Sequence, residues 1–173
     1  MTEPVLMPVV LIGPPGAGKS TVGRALAERL GVAFRDTDAD VEAAAGKSVA
    51  DVFVQDGEKR FRELERDAVR VALDEHAGVL ALGGGAVLAE TTRELLKRHV
   101  VVLLEVDLAG AAQRVGLGQG RPLVGLNPRA QLRALMQQRR PLYDEVATAT
   151  VDTSGVPVDV VVDRVLAALG SPS

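Results

Sequence analysis

Gly13-Pro-Pro-Gly-Ala-Gly-Lys-Ser20 brings glycines, a lysine and a hydroxyl together between an apolar run, Pro8 to Ile12, and a segment of helical periodicity, Thr21 to Leu30. The stretch satisfies G-x-x-x-x-G-K-[ST], a pattern that acquires meaning when a strand precedes it and a helix follows. Its glycines let backbone N–H groups close around phosphate oxygens, and the helix N-terminus behind them adds the positive end of a dipole. Lys19 then brings an ammonium to the β- and γ-phosphates of a nucleoside triphosphate. The Ser20 hydroxyl suits a magnesium ion that keeps most of its waters. The residues expected to hold the triphosphate are Gly16, Ala17, Gly18, Lys19, Ser20 and Thr21.

Three further clusters bear on what becomes of the phosphate. Asp36-Thr37-Asp38 follows the second apolar run, and open α/β sheets take ligands beyond the carboxyl ends of their strands. One acid there can face a water on magnesium while the other faces a substrate hydroxyl. By itself the triplet also fits a turn with a helix cap. Gly83-Gly84-Gly85 closes the run Val79 to Leu82 where a hydrolysing switch or motor would place a carboxylate, and its N–H groups are open to an anionic or polyhydroxylated ligand or form a flexible turn. Arg62 and Glu65, three apart in Phe61-Arg-Glu-Leu-Glu65, share a helix face, so the acid can hold the guanidinium for a carboxylate ligand.

These groups need a scaffold. Apolar runs at Pro8 to Ile12, Val32 to Arg35, Val79 to Leu82, Val100 to Val106 and Ala147 to Val151 read as strands. Helical periodicity marks Thr21 to Leu30, Val49 to Asp74, Thr91 to Arg98, Ala109 to Val115, Arg129 to Glu145 and Val158 to Leu169. Continuous apolar strands alternating with helices predict a mostly parallel sheet covered on both faces, a three-layer α/β fold. Ser48 and Asp51 form a capping pattern for the long second helix, which is expected to stand off the sheet. The Gly- and Pro-rich stretch Gly116 to Pro128 fits neither element type and reads as a lid.

Composition narrows the function classes. A chain of 173 residues is the size of one domain with its own core. The absence of cysteine removes disulfides and thiolate chemistry and suits a reducing compartment. A net charge of −3 argues against general nucleic-acid or anionic-membrane binding. No N-terminal run is long enough to span a bilayer, so a cytoplasmic protein is expected. With three Phe, one Tyr and no Trp, the core must be aliphatic. His76 and His99 lack partners at metal-binding spacing and read as surface or capping residues.

Taken jointly, GxxxxGKST, DTD, FRxxE, GGG and a late RRPLY resemble shikimate kinase from about Val9 to about Val162. The resemblance implies a P-loop NTPase of the nucleoside-monophosphate-kinase kind, with a five-stranded parallel sheet in the order 2-3-1-4-5. It implies a core over 8–36, 78–115 and 128–169, a substrate-binding region over about 37–65, and a lid over about 116–127. The implied activity is phosphorylation of the shikimate 3-hydroxyl by ATP with one Mg2+, a step toward chorismate and the aromatic amino acids, in a monomer without nucleic-acid or membrane partners.

By the same likeness Asp38 contacts the substrate hydroxyls and is the candidate base, and Asp36 reaches the metal through water. Arg62 and Arg139 clamp the carboxylate, and Gly84, within Gly83 to Gly85, offers its N–H. Arg121 swings over the phosphates, Arg114 lies against adenine, and Phe53, Phe61 and Leu123 wall the ring. Arg139 is preferred to Arg140 by its spacing from Pro141-Leu-Tyr143, and neighbours on a helix point about 100° apart, so the two are not expected to face the substrate together. The chain departs from many relatives at Gly155, where they place a basic residue in the adenine loop. Two rival readings remain: another small-metabolite kinase such as a gluconate kinase, and a nucleotide-binding regulator without transfer activity.

Overall fold

The computed structural model describes residues 7–115 and 127–170. Five strands, β1 (Val9–Ile12), β2 (Phe34–Asp36), β3 (Val79–Ala81), β4 (Val100–Glu105) and β5 (Ala149–Asp152), form one parallel sheet in the order β2-β3-β1-β4-β5. The apolar β1 lies at its centre, with Val10 paired to Leu80 on one side and to Val101 on the other.

Side chains alternate across a strand, so each strand feeds two cores. Val9, Leu11, Val102 and Leu104 point to one face, where α1 (Lys19–Leu30) and α8 (Val158–Gly170) cover them with Val22, Leu26, Val161 and Val165. Val10, Ile12, Leu80 and Leu103 point to the other face. There they meet Val69 and Leu73 of α4 (Glu58–Glu75), Leu96 of α5 (Glu90–Leu96), and Tyr143 and Val146 of α7 (Pro128–Val146). The three-layer arrangement and the strand order expected from sequence are both present.

Two helical expectations need correction. Thr37–Ala45 forms a helix, α2, that apolar periodicity did not mark, because it is short and rich in alanine and acids. The single helix expected from Val49 to Asp74 is two, α3 (Val49–Asp56) and α4, broken at Gly57, whose φ of 88° and ψ of 164° are accessible essentially only to glycine. The Ser48 hydroxyl does cap α3, accepting from the Asp51 N–H at 3.1 Å. Only the upper part of this region stands off the sheet: α2, α3 and the start of α4 close over their own core of Val41, Val52 and Phe61, while the second half of α4 packs on the sheet. The remaining α-helix among the described residues is α6 (Leu108–Val115), and a short 3-10 helix spans Ala86–Leu88. No helix among the described residues is long and apolar enough to cross a membrane.

Candidate active site

The phosphate loop is built where β1 runs into α1. Gly13 has a φ of 152°, and a Cβ there would stand 2.4 Å from the Leu104 carbonyl oxygen. Gly16, at φ 83°, is pressed against α6, with the Ala111 carbonyl oxygen 2.7 Å from where its Cβ would be. A side chain at either position would push the loop away from the elements that shape it. Lys19 Nζ donates to the carbonyls of Gly13 at 2.7 Å and Pro14 at 3.1 Å, so the ammonium lies over the loop's own backbone. Gly16, Gly18, Lys19, Ser20 and Thr21 line a cleft of about 980 Å³. Ala17 differs from the expectation: it is fully buried, and its N–H closes the loop onto the Pro14 carbonyl at 3.1 Å.

Asp36 ends β2 and caps α2, accepting the Asp38 N–H on Oδ1 at 2.9 Å. Its other oxygen accepts from the Ser20 hydroxyl at 2.7 Å, which ties the strand end to the first turn of α1. Thr37, between the two acids, is fully buried, and Asp38 in the first turn of α2 lines the cleft with Asp36. The α2 cap and the tie to Ser20 are therefore one arrangement of Asp36, one carboxylate oxygen serving each.

Arg62 and Arg139 enter from α4 and α7. The Arg62 guanidinium donates from Nη1 to Glu65 Oε1 at 2.8 Å and lies 5.9 Å from the Phe53 ring centre and 5.1 Å from that of Phe61. Its side chain is 16% exposed, that of Glu65 3%. Arg62 Nε and Glu65 Oε2 are buried without a hydrogen-bond partner, leaving this cluster short of an acceptor and a donor. Arg139 is buried and lines the cleft, whereas its neighbour Arg140 is turned outward to Glu105 and Asp144.

The glycine turn joins the two arginines to the phosphate loop. A Cβ on Gly84 would lie 3.2 Å from Pro15 Cδ and 3.4 Å from Arg139 Nη1. The Ala86 N–H donates to Gly83 O at 3.1 Å, and a peptide is planar and trans, so this bond turns the Gly84 N–H the opposite way. The Tyr143 hydroxyl donates to Gly84 O at 2.6 Å and fixes the next peptide in the same manner. Lys19, Arg62, Arg114 and Arg139 face Asp36, Asp38 and Glu58 around the cleft, a local excess of positive charge in a chain of net charge −3.

The family profile described as shikimate kinase matches residues 15–170. The shikimate kinase of Salinispora arenicola is 63% identical over 146 residues, 84% of this chain and 87% of the relative. The solved structure of shikimate kinase from Acinetobacter baumannii in complex with shikimate superposes with a TM-score of 0.87 at 39% identity, over 92% of this chain and 90% of that one. The chain belongs to the shikimate kinase family. A gluconokinase structure from Sinorhizobium meliloti reaches a TM-score of 0.57 at 22% identity over 93% of this chain and 90% of its own, a likeness of fold alone.

Several expectations about the site residues change in detail. Phe61 does not wall the cleft: it is fully buried one layer back, its ring 4.4 Å from that of Phe53, which does line the cleft. Glu65 likewise stands behind Arg62 rather than at the cleft surface. Gly85 makes room for Arg62, because a Cβ there would come within 2.4 Å of Nη1. Arg114 donates from Nη1 to Gly16 O at 3.0 Å and from Nη2 to Thr153 O at 2.8 Å, linking the phosphate loop to the segment after β5. Gly155 in that segment has a φ of 63°, which a basic residue would occupy only with strain. Arg121 and Leu123 lie outside the described residues.

Tyr143 and Thr153 were not foreseen as site residues. Tyr143 served only to place Arg139 in register, although the lone tyrosine of a chain so poor in aromatics was a signal. Thr153 had none, because its partners, two backbone carbonyls and Arg114, come from segments distant in sequence. Before it, the Ser154 N–H and hydroxyl hold the Asp152 carboxyl below its ordinary range. No group of three or more His, Asp or Glu side chains suited to a metal occurs among the described residues. His76 and His99 bond to backbone carbonyls instead.

Proposed function

We propose that this protein transfers the γ-phosphoryl group of ATP to the 3-hydroxyl of shikimate, giving shikimate 3-phosphate and ADP. The observation that carries the reading is one cleft lined both by the phosphate loop, with Lys19 and Ser20, and by Asp38, Arg62, Gly84 and Arg139. Arg62 and Arg139 flank the glycine turn and present two guanidinium groups to a carboxylate, which suits the acid group of shikimate. Asp38 hydrogen-bonds the ring hydroxyls and takes the proton of the attacking one. The Gly84 N–H steadies the ring against Phe53.

On the nucleotide side the loop N–H groups and Lys19 hold the phosphates, and Arg114 meets the base. Phosphoryl transfer passes through a loose transition state, so positioning and neutralisation of charge carry most of the rate. Ser20 Oγ and the Asp36 carboxylate, 2.7 Å apart, are hard oxygen donors that fit Mg2+, Ser20 directly and Asp36 through water. The bound ion would add positive charge beside the β- and γ-phosphates. Every other role falls to the chain's own backbone and side chains. We also propose that the protein acts as a cytoplasmic monomer.

The test is a coupled ADP-release assay with shikimate and gluconate as acceptors. Shikimate-dependent turnover is expected, with gluconate near background. Equal or greater turnover with gluconate would overturn the assignment. Tight ATP binding with no acceptor accelerating ADP release would leave a nucleotide-binding regulator.

A further inference from the structure

Thr153 follows β5 and is 1% exposed. Its hydroxyl oxygen lies 3.1 Å from Ala17 O, 2.8 Å from Glu105 O and 3.1 Å from Arg114 Nη1. The single hydroxyl proton is shared between the two carbonyls, while the lone pairs accept from Arg114. The Thr153 N–H separately donates to Glu105 O at 2.8 Å, so the β4 end retains a donor without the hydroxyl. Ala17 O does not: the first bond of α1 runs from Val22 N–H to Gly18 O, and Ala17 is fully buried away from water.

The consequence lies in the next peptide. Ala17 C=O and Gly18 N–H belong to one planar trans unit, so a donor that fixes the carbonyl on one side aims the N–H to the other. Gly18 lines the cleft. Thr153 also grips Arg114, which is held by Gly16 O as well, so one hydroxyl steadies both the phosphate loop and the arginine beside it.

We infer that Thr153 is a positioning residue for the nucleotide, setting ATP affinity by aiming the Gly18 N–H and orienting Arg114 without touching ATP itself. This rests on the ATP-dependent reading above. A role in general stability would disturb both substrate sides, whereas this one acts on the nucleotide side alone.

The experiment compares Thr153→Val, which keeps the shape and removes the hydroxyl, with Thr153→Ser, which keeps the hydroxyl. Both are measured in steady-state kinetics with ATP and shikimate and in direct ATP-binding titrations. The valine variant is expected to raise the KM and the Kd for ATP about tenfold, the scale of one buried hydrogen bond and its stranded partner. Its KM for shikimate at saturating ATP should stay within about twofold, and the serine variant should restore ATP affinity. Should the valine variant not be recovered folded, Thr153→Ala is expected to give the same split. Unchanged ATP affinity in the hydroxyl-free variants, or equal losses on both substrates that serine does not repair, would overturn the inference. Absence of shikimate-dependent turnover in the unmodified protein would instead overturn the parent reading, and the ATP titration would still test Thr153.

Discussion

Asp38 and Asp36 sit two residues apart and act on opposite partners. Asp36 is held by Ser20 and by the α2 cap, which turn it toward the phosphate loop rather than the acceptor side. Asp38 faces the same cleft from the first turn of α2 and is the carboxylate assigned to the alcohol. Asp38→Asn is therefore expected to lower kcat by about 10² or more, the usual range for loss of a general base, with ATP affinity nearly unchanged. Turnover close to that of the unmodified protein would remove the base assignment. Arg62→Ala should raise the KM for shikimate about 10- to 100-fold, as expected for a hydrogen bond between charged groups, while leaving the KM for ATP in place. An effect mainly on ATP would show that the clamp has been put on the wrong side. Both acids and both arginines were legible because each stands in a short pattern with a fixed local geometry. Arg139 was told from Arg140 by its place in the RRPLY pattern of the family likeness, because the turn of about 100° per helical residue says only that the two do not face the cleft together. Phe61 was misplaced because the family likeness put it on the ring wall, whereas packing buries it fully, against the Phe53 ring that lines the cleft.

The turn after β3 and the helix after Gly57 work as a pair. Arg62 reaches the turn because α4 restarts at Glu58 in a new direction, and Gly85 leaves space for its guanidinium. Gly85→Ala would put a methyl group 2.4 Å from Nη1 of an arginine that is tied to Glu65 and cannot swing freely. The turn itself is under little threat, since Gly85 has a φ of −101° that alanine adopts easily. The expected outcome is a raised KM for shikimate with a thermal midpoint close to that of the unmodified protein. A fall in the midpoint with unaltered shikimate KM would mean that the backbone, not Arg62, gives way. The break at Gly57 escaped the sequence because periodicity alone treats one glycine inside a helical pattern as a tolerated defect of about 1 kcal/mol. Helix α2 escaped it because seven of its nine residues are alanine or acid, so no apolar stripe announces it. The hydroxyl of Ser48, in contrast, announced α3 through a capping pattern that depends on sequence neighbours alone.

The whole molecule depends on β2 lying close against β3, because that edge carries Asp36 to Ser20. Strand existence was readable from apolar runs, whereas the order β2-β3-β1-β4-β5 came only through family resemblance, since hydrophobic periodicity carries no information on which strands are neighbours. The structure adds a steric reason for the pairing at its edge. Gly78 precedes β3, its carbonyl accepts the Val9 N–H at 3.0 Å, and the Val79 N–H donates to Ala33 O at 2.9 Å. A Cβ on Gly78 would fall 2.0 Å from that same Ala33 oxygen, a backbone atom that can move only if β2 moves. Overpacking of a fixed core costs about 1–3 kcal/mol and sometimes more. For a chain of this size each kcal/mol lowers the midpoint by roughly 2–4 °C. Gly78→Ala is accordingly expected to lower the thermal midpoint by about 2–12 °C. Displacement of β2 should also loosen the contact between Asp36 and Ser20, so the KM for ATP should rise in the fraction that stays folded. Gly170→Ala, at the end of α8 with nothing within 4 Å of the added methyl, is the control and should leave both quantities unchanged. If Gly78→Ala behaved like Gly170→Ala, β2 would have room to slide, and the close fit of β2 on β3 could not be what holds Asp36 against Ser20.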